Sequence, residues 1–125
     1  MTSSLKHGDI TERIIGAAYE VYNTLGFGFL EKVYENAMAI ELRRAGLKVE
    51  AQFPITVRYK GEVVGDYAAD LVVDSCVIVE LKAVSALDPV HEVHLVNYLK
   101  ATGIEVGLLI NFGREIQIKR RIFDR

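Results

Sequence analysis

Apolar side chains recur at Ile10, Ile14, Ala18, Val21 and Leu25, the spacing that keeps one face of an α-helix out of water. Asp9-Ile10-Thr11-Glu12 has the form of a capping box and Gly26 supplies a stop, which bounds a first helix. After Gly26-Phe27-Gly28, the residues Leu30, Val33, Ala37, Ile40 and Arg44 fall along one side of a second helix ending at Gly46. From Lys48 the period changes, and β-branched and aromatic residues predict strands over 49–53, 55–59, 63–73 and 76–83. Lys60-Gly61 and Asp74-Ser75 read as turns between antiparallel neighbours, so a meander follows the second helix. Asp88-Pro89 sets a capping side chain before a proline at the first helical position, and a third helix runs from there to Gly103. Val106-Gly107-Leu108-Leu109-Ile110 has no polar alternation, as expected of a strand covered on both faces, and Ile116, Ile118 and Ile122 suggest a last edge strand. The predicted order is ααββββαββ, an α/β fold with a mixed β-sheet flanked by helices.

Length and composition narrow the classes. No repeat or linker interrupts the 125 residues, so a single domain over 1–125 is expected, with 1–8 a flexible N-terminal tail. One cysteine, Cys76, excludes an intrachain disulfide framework and a multi-cysteine zinc site. Residues 1–8 lack the apolar core of a signal peptide and no apolar run approaches the roughly 18 residues of a membrane span, which makes a soluble, cytoplasmic protein the expectation. The net charge of −2 provides no bulk field for nucleic acid, so such binding needs a local patch. Lys119-Arg120-Arg121 with Arg125 is one basic cluster, explained equally by protection of an edge strand.

The chemistry concentrates at Asp70 and at Glu80-Leu81-Lys82. Residues two apart in a strand share a face, so Glu80 and Lys82 point together while Leu81 points into the core. If the strands pair across Asp74-Ser75, Asp70 comes opposite Glu80. Two adjacent carboxylates repel, and a hard divalent cation, Mg²⁺ or Mn²⁺, is the economical way to keep both ionised. Such a cation polarises phosphoryl oxygens and acidifies water, which matches phosphodiester hydrolysis, with Lys82 orienting or deprotonating the water or stabilising developing charge. A Glu-x-Lys pair on the solvated face of a half-buried sheet is the alternative. Gly28-Phe29-Leu30-Glu31-Lys32-Val33-Tyr34 opens the second helix and presents Glu31 beside Tyr34. Read alone, Glu31 complements the helix dipole and Tyr34 packs in the core.

Gly28, Glu31 and Tyr34, then Asp70, Glu80-Leu81-Lys82-Ala83, His91-Glu92, the run from Asn97 to Gly103 and that from Gly107 to Gly113, together resemble the bacterial and archaeal GxxExxY proteins over nearly the whole chain. That family resembles a compact member of the PD-(D/E)xK nuclease-like superfamily, with a restriction-endonuclease-like core. The resemblance implies Asp70, Glu80 and Lys82 as catalytic residues and Glu31, Asp70, Glu80 and the Leu81 carbonyl as ligands of Mg²⁺ or Mn²⁺. Related RecB-like nucleases carry Gln-x-x-x-Tyr on the helix after the catalytic strand. The matching positions here are His94 and Tyr98, expected with Tyr34 to contact nucleic acid. Histidine is shorter than glutamine, a departure that bears on affinity. The expectation is a metal-dependent nuclease acting on nucleic acid, DNA before RNA. Its rival is a catalytically weak or inactive nuclease-fold binding or regulatory module, with a homodimer open in either case.

Overall fold

The computed structural model describes residues 6–124. Helices α1 (Gly8–Leu25) and α2 (Glu31–Arg44) precede strands β1 (Val49–Tyr59), β2 (Glu62–Val73) and β3 (Val77–Lys82); helix α3 (Pro89–Thr102) then leads to β4 (Val106–Phe112) and β5 (Ile116–Ile122). The five strands form one mixed sheet in the order β1-β2-β3-β4-β5. Only β3 and β4 run parallel, joined by α3 as the crossover that parallel neighbours require. The α/β class and mixed sheet are as the sequence predicts, with one fewer strand. The runs either side of Pro54 form the single strand β1, because β1 lies at the sheet edge, where a residue without an N–H is tolerated. Lys60 and Gly61, both at positive φ (51° and 83°), make the two-residue turn between β1 and β2.

Two apolar layers hold the sheet. Leu71, Val73, Val77, Val79 and Leu81 pack against Ile14, Ala18, Val21, Tyr34, Met38 and Leu42 of α1 and α2. On the opposite face Val72, Ile78 and Leu109 pack against Leu95 and Leu99 of α3. A Cβ at Gly107 would stand 2.7 Å from Leu95 Cδ1, so the glycine lets α3 settle on β4. Asp88 caps α3 by accepting from Val90 N–H, and His91 closes the capping box by accepting from Asp88 N–H.

Two local expectations are corrected, and a third falls largely outside the described residues. Helix α1 begins at Gly8 after a left-handed His7 with no side-chain cap, so Asp9 lies inside the first turn instead of capping it. Of the expected tail, residues 1–5 lie outside the described residues, while Lys6 pairs with Glu105 (3.1 Å) and Asp124 (3.3 Å). Helix α2 is rotated from its predicted phase. Leu30 and Ile40 are 82% and 55% exposed, and the buried face is Tyr34, Glu35, Met38, Ala39 and Leu42. Apolar residues occupy both sides of this helix, and the larger Tyr34, Met38 and Leu42 fill the space over the sheet. Among the described residues no helix is long and apolar enough to cross a membrane.

The strand pattern breaks where the sheet splits. Ala69 packs against α3 although Leu71, two residues on, faces α1 and α2. A regular strand would put both on one face. β1 changes sense in the same place: Val49 faces the first layer, Phe53 and Ile55 the second. Between the pairs Ala51↔Leu71 and Phe53↔Ala69 stand Gln52, at φ 52°, and Asp70. The far half of the β1–β2 hairpin is thereby turned toward α3.

The phase of α2 is testable by urea unfolding. Met38→Ala and Leu42→Ala are each expected to cost about 2–5 kcal/mol, and Ile40→Ala less than about 0.5 kcal/mol. A large loss at Ile40 with small losses at Met38 and Leu42 would restore the phase read from the sequence.

Candidate active site

The β2–β3 ladder ends at Leu71↔Val79, one step short of Asp70 and Glu80. Where the backbones part, the side chains take over. Glu80 Oε2 accepts from the Asp70 N–H and Asp70 Oδ2 accepts from the Leu81 N–H, each at 2.8 Å. This reciprocal exchange satisfies two N–H groups that the separating strands would leave without partners. It uses one oxygen of each carboxylate; Asp70 Oδ1 and Glu80 Oε1 make no hydrogen bond to the described residues.

The pair is electrostatically unfavourable. Burial raises the pKa of Glu80 to about 8, with the neighbouring Asp70 charge acting in the same direction and the Asp70 N–H and Lys82 opposing it. Asp70 is raised as well, first by burial, against the Leu81 N–H that favours its charged form, and then by the charges of Glu35 and Glu31. Lys82 lies on the Glu80 side of β3 and favours both carboxylates ionised. Leu81 points the other way, into the α1–α2 layer.

The acids of α2 divide differently from expectation. Glu31, the exposed first residue of the helix, reaches the pair through its charge. Among the described residues no three His, Cys, Asp or Glu side chains gather closely enough to hold an ion, so Glu31 does not complete a direct three-acid cluster. Glu35, one turn on, is buried and acts more strongly on Asp70 than Glu31 does. It is held by Lys32 and by Gln52 Nε2, both at 2.8 Å, so the residue that breaks β1 also fixes this acid. Its spacing of four from Glu31 was the available signal.

Tyr34 has a structural role in place of the expected nucleic-acid contact. Its ring is fully buried and stacked on Phe112 at 4.4 Å, while its hydroxyl donates to Gly26 O (2.7 Å) and accepts from Phe29 N–H (3.3 Å). It pins the loop that starts α2 and thereby sets where Glu31 and Glu35 emerge. His94 and Tyr98 lie one turn apart on α3 and line a common groove. The Tyr98 hydroxyl is raised in pKa first by burial and then by the charges of Glu80 and Asp70. Asn111 falls in the Gly107–Gly113 run, where no role was expected of it. Fully buried opposite Lys82, its side chain accepts from Val84 N–H and donates to Val84 O, both at 2.9 Å, fixing the chain just after the lysine. A buried amide ending an otherwise apolar strand was its signal. In the basic cluster, Arg121 pairs with Glu92 of α3, and Arg125 lies outside the described residues.

A divalent cation suits this donor set. Mg²⁺ needs only one or two protein carboxylates because it keeps several waters, and two raised-pKa carboxylates with an oxygen each to offer supply that minimum.

The pH dependence follows from Glu80. Its folded pKa of about 8 exceeds the 4.5 of the free side chain, so its contribution to stability is complete below pH 4.5 and is lost as pH rises toward 8. In chelator, Glu80→Gln keeps an acceptor for the Asp70 N–H yet never ionises. Its stability relative to wild type is expected to grow across that window to a few kcal/mol. Parallel stability–pH curves for the two proteins would contradict a carboxylate held against its charge.

Comparison with known proteins bears on the fold and the family. The crystal structure of SSO0001 superposes with a TM-score of 0.60 at 16% identity, covering 75% of this chain and 50% of that one. An alkaline exonuclease from Laribacter hongkongensis superposes with a TM-score of 0.54 at 13% identity, covering 74% of this chain and 56% of its own. This chain thus spans about half the length of the solved proteins it matches, and at such identities the likeness is one of fold. No curated protein matches. The family model described as the PD-(D/E)XK nuclease superfamily, whose members typically use a divalent metal, matches residues 8–122. The chain therefore belongs to the PD-(D/E)XK nuclease superfamily.

Proposed function

We propose that this protein is a metal-dependent nuclease that hydrolyses phosphodiester bonds in nucleic acid, with DNA the first substrate to test. The observation that carries the reading is the Asp70–Glu80 pair: two carboxylates each locked to a backbone N–H of the other's strand, Glu80 to Asp70 and Asp70 to Leu81, both raised in pKa, each with one oxygen left over. Structural ion pairs place a cation beside each acid; here two acids face one another, an arrangement that favours binding a cation over stability. Asp70 Oδ1, Glu80 Oε1 and the Leu81 carbonyl are assigned to Mg²⁺ or Mn²⁺, with Glu31 acting through its charge at the rim. A divalent cation bound there supplies Lewis-acid polarisation of a phosphoryl oxygen and lowers the pKa of water.

The remaining work falls to the chain. Lys82 shares a face with Glu80 and brings Nζ to the same side of the sheet. As an ammonium it offsets negative charge building on the phosphate; as a free amine it accepts a proton from the attacking water. Asn111 holds the backbone after Lys82 and is a positioning residue. His94 offers an imidazole hydrogen bond to a phosphate approaching along α3.

Asp70→Ala and Lys82→Ala are each expected to reduce Mg²⁺-dependent cleavage of DNA at least a hundredfold with unchanged circular dichroism. Equal cleavage by wild type and both variants would assign the activity elsewhere. Millimolar Mg²⁺ or Mn²⁺ is expected to raise the Tm of wild type and not of Asp70→Ala, since only a folded site binds. Absence of any shift, with no cleavage, would favour a nuclease-fold binding module.

A further inference from the structure

The far half of the β1–β2 hairpin and α3 enclose a groove of about 770 Å³, within the size range of ligand pockets. Arg58, Tyr67, His94, Asn97, Tyr98 and Lys100 line it, and no acidic side chain does. That is notable in a chain of net charge −2 whose nearby Asp70 and Glu80 would repel a polyanion. Tyr67 lines it from β2. The residue is 54% exposed, yet its ring is constrained, with the Tyr98 ring 5.9 Å away and Gly65 beneath, where a Cβ would stand 3.0 Å from Tyr67 Cε2. The glycine leaves room for the tyrosine to lie over the strand, and Tyr98 limits its swing. The result is a flat aromatic face open on one side, bordered by cationic and amide donors. It lies three residues from Asp70 along β2, about 10 Å at the usual strand rise.

Each of these features suits an unpaired base. A base inside a duplex is already stacked on both sides, whereas a single strand, a frayed end or an extruded nucleotide has a free face for an aromatic ring. Arg58 supplies charge for the backbone. We infer that the groove between the β1–β2 hairpin and α3 binds single-stranded polynucleotide, with a base stacked on Tyr67 and the following phosphate led past Tyr98 to Asp70 and Glu80. This rests on the nuclease reading and gives it a substrate form, a strand delivered unpaired.

The test separates the two. Binding is measured by fluorescence anisotropy in an Asp70→Asn background, which stops cleavage and lowers the charge at the acids. Labelled single-stranded DNA, RNA of the same sequence and a blunt DNA duplex are compared. At least one single strand is expected to bind tenfold or more tightly than the duplex, and the tighter of DNA and RNA identifies the polymer. Tyr67→Ala is expected to weaken single-strand binding about tenfold, the size of one lost base stack, and to leave the duplex unaffected; Tyr67→Phe is expected to retain affinity. Equal duplex binding, or no effect of Tyr67→Ala, overturns the inference. Mg²⁺-dependent cleavage by otherwise native protein that keeps its KM in Tyr67→Ala sinks the groove and spares the nuclease. Tyr67-dependent single-strand binding with no cleavage by wild type does the reverse.

Discussion

The site depends on a substitution within the sheet, in which carboxylates do what backbone carbonyls do elsewhere. Past Leu71↔Val79, β2 and β3 no longer pair directly, and Asp70 and Glu80 each accept the other strand's N–H. Without that exchange the parting strands would leave buried donors without partners, a cost of about 1–3 kcal/mol each. With it, two acids are fixed side by side at the split, next to the apolar central stretches of β2, β3 and β4. Their mutual repulsion is therefore built into the fold.

The same split explains how three layers contribute to one place. Gln52 and Asp70 interrupt the alternation of β1 and β2, so the distal hairpin leans to α3 while the proximal part stays under α1 and α2. Glu35 arrives from the α2 side and is bonded by Gln52; Tyr98 arrives from the α3 side. A flat, fully paired sheet would separate those two sets by its own thickness. Tyr34 and Asn111 act at one remove, the first by anchoring the start of α2, the second by holding Val84 after Lys82.

Much of this was legible in the chain. Helix α3 carries its own punctuation, Asp88-Pro89 at the start and Gly103 at the end, and local chemistry of that kind needs no tertiary information. The approach of Asp70 to Glu80 followed from the turn at Asp74-Ser75 and the period of two. Helix α2 was harder because apolar residues line both of its sides, and only packing decides that Met38 and Leu42 are buried while Leu30 and Ile40 are not. Pro54 argued for a break that an edge strand does not require. Glu35 and Asn111 escaped because a buried polar residue is indistinguishable in sequence from an exposed one until its partners, here Gln52 and Val84, are known. The bend at Gln52 and Asp70 leaves no periodic trace at all, since one switched residue among alternating positions reads as noise.

The most direct measurement of the central claim is anomalous diffraction from a crystal soaked in Mn²⁺. The expected result is a peak between Asp70 Oδ1 and Glu80 Oε1, with the two backbone hydrogen bonds intact. A map with no peak at those oxygens, or with Mn²⁺ bound only at other acids while Asp70 and Glu80 remain paired to backbone alone, would contradict it.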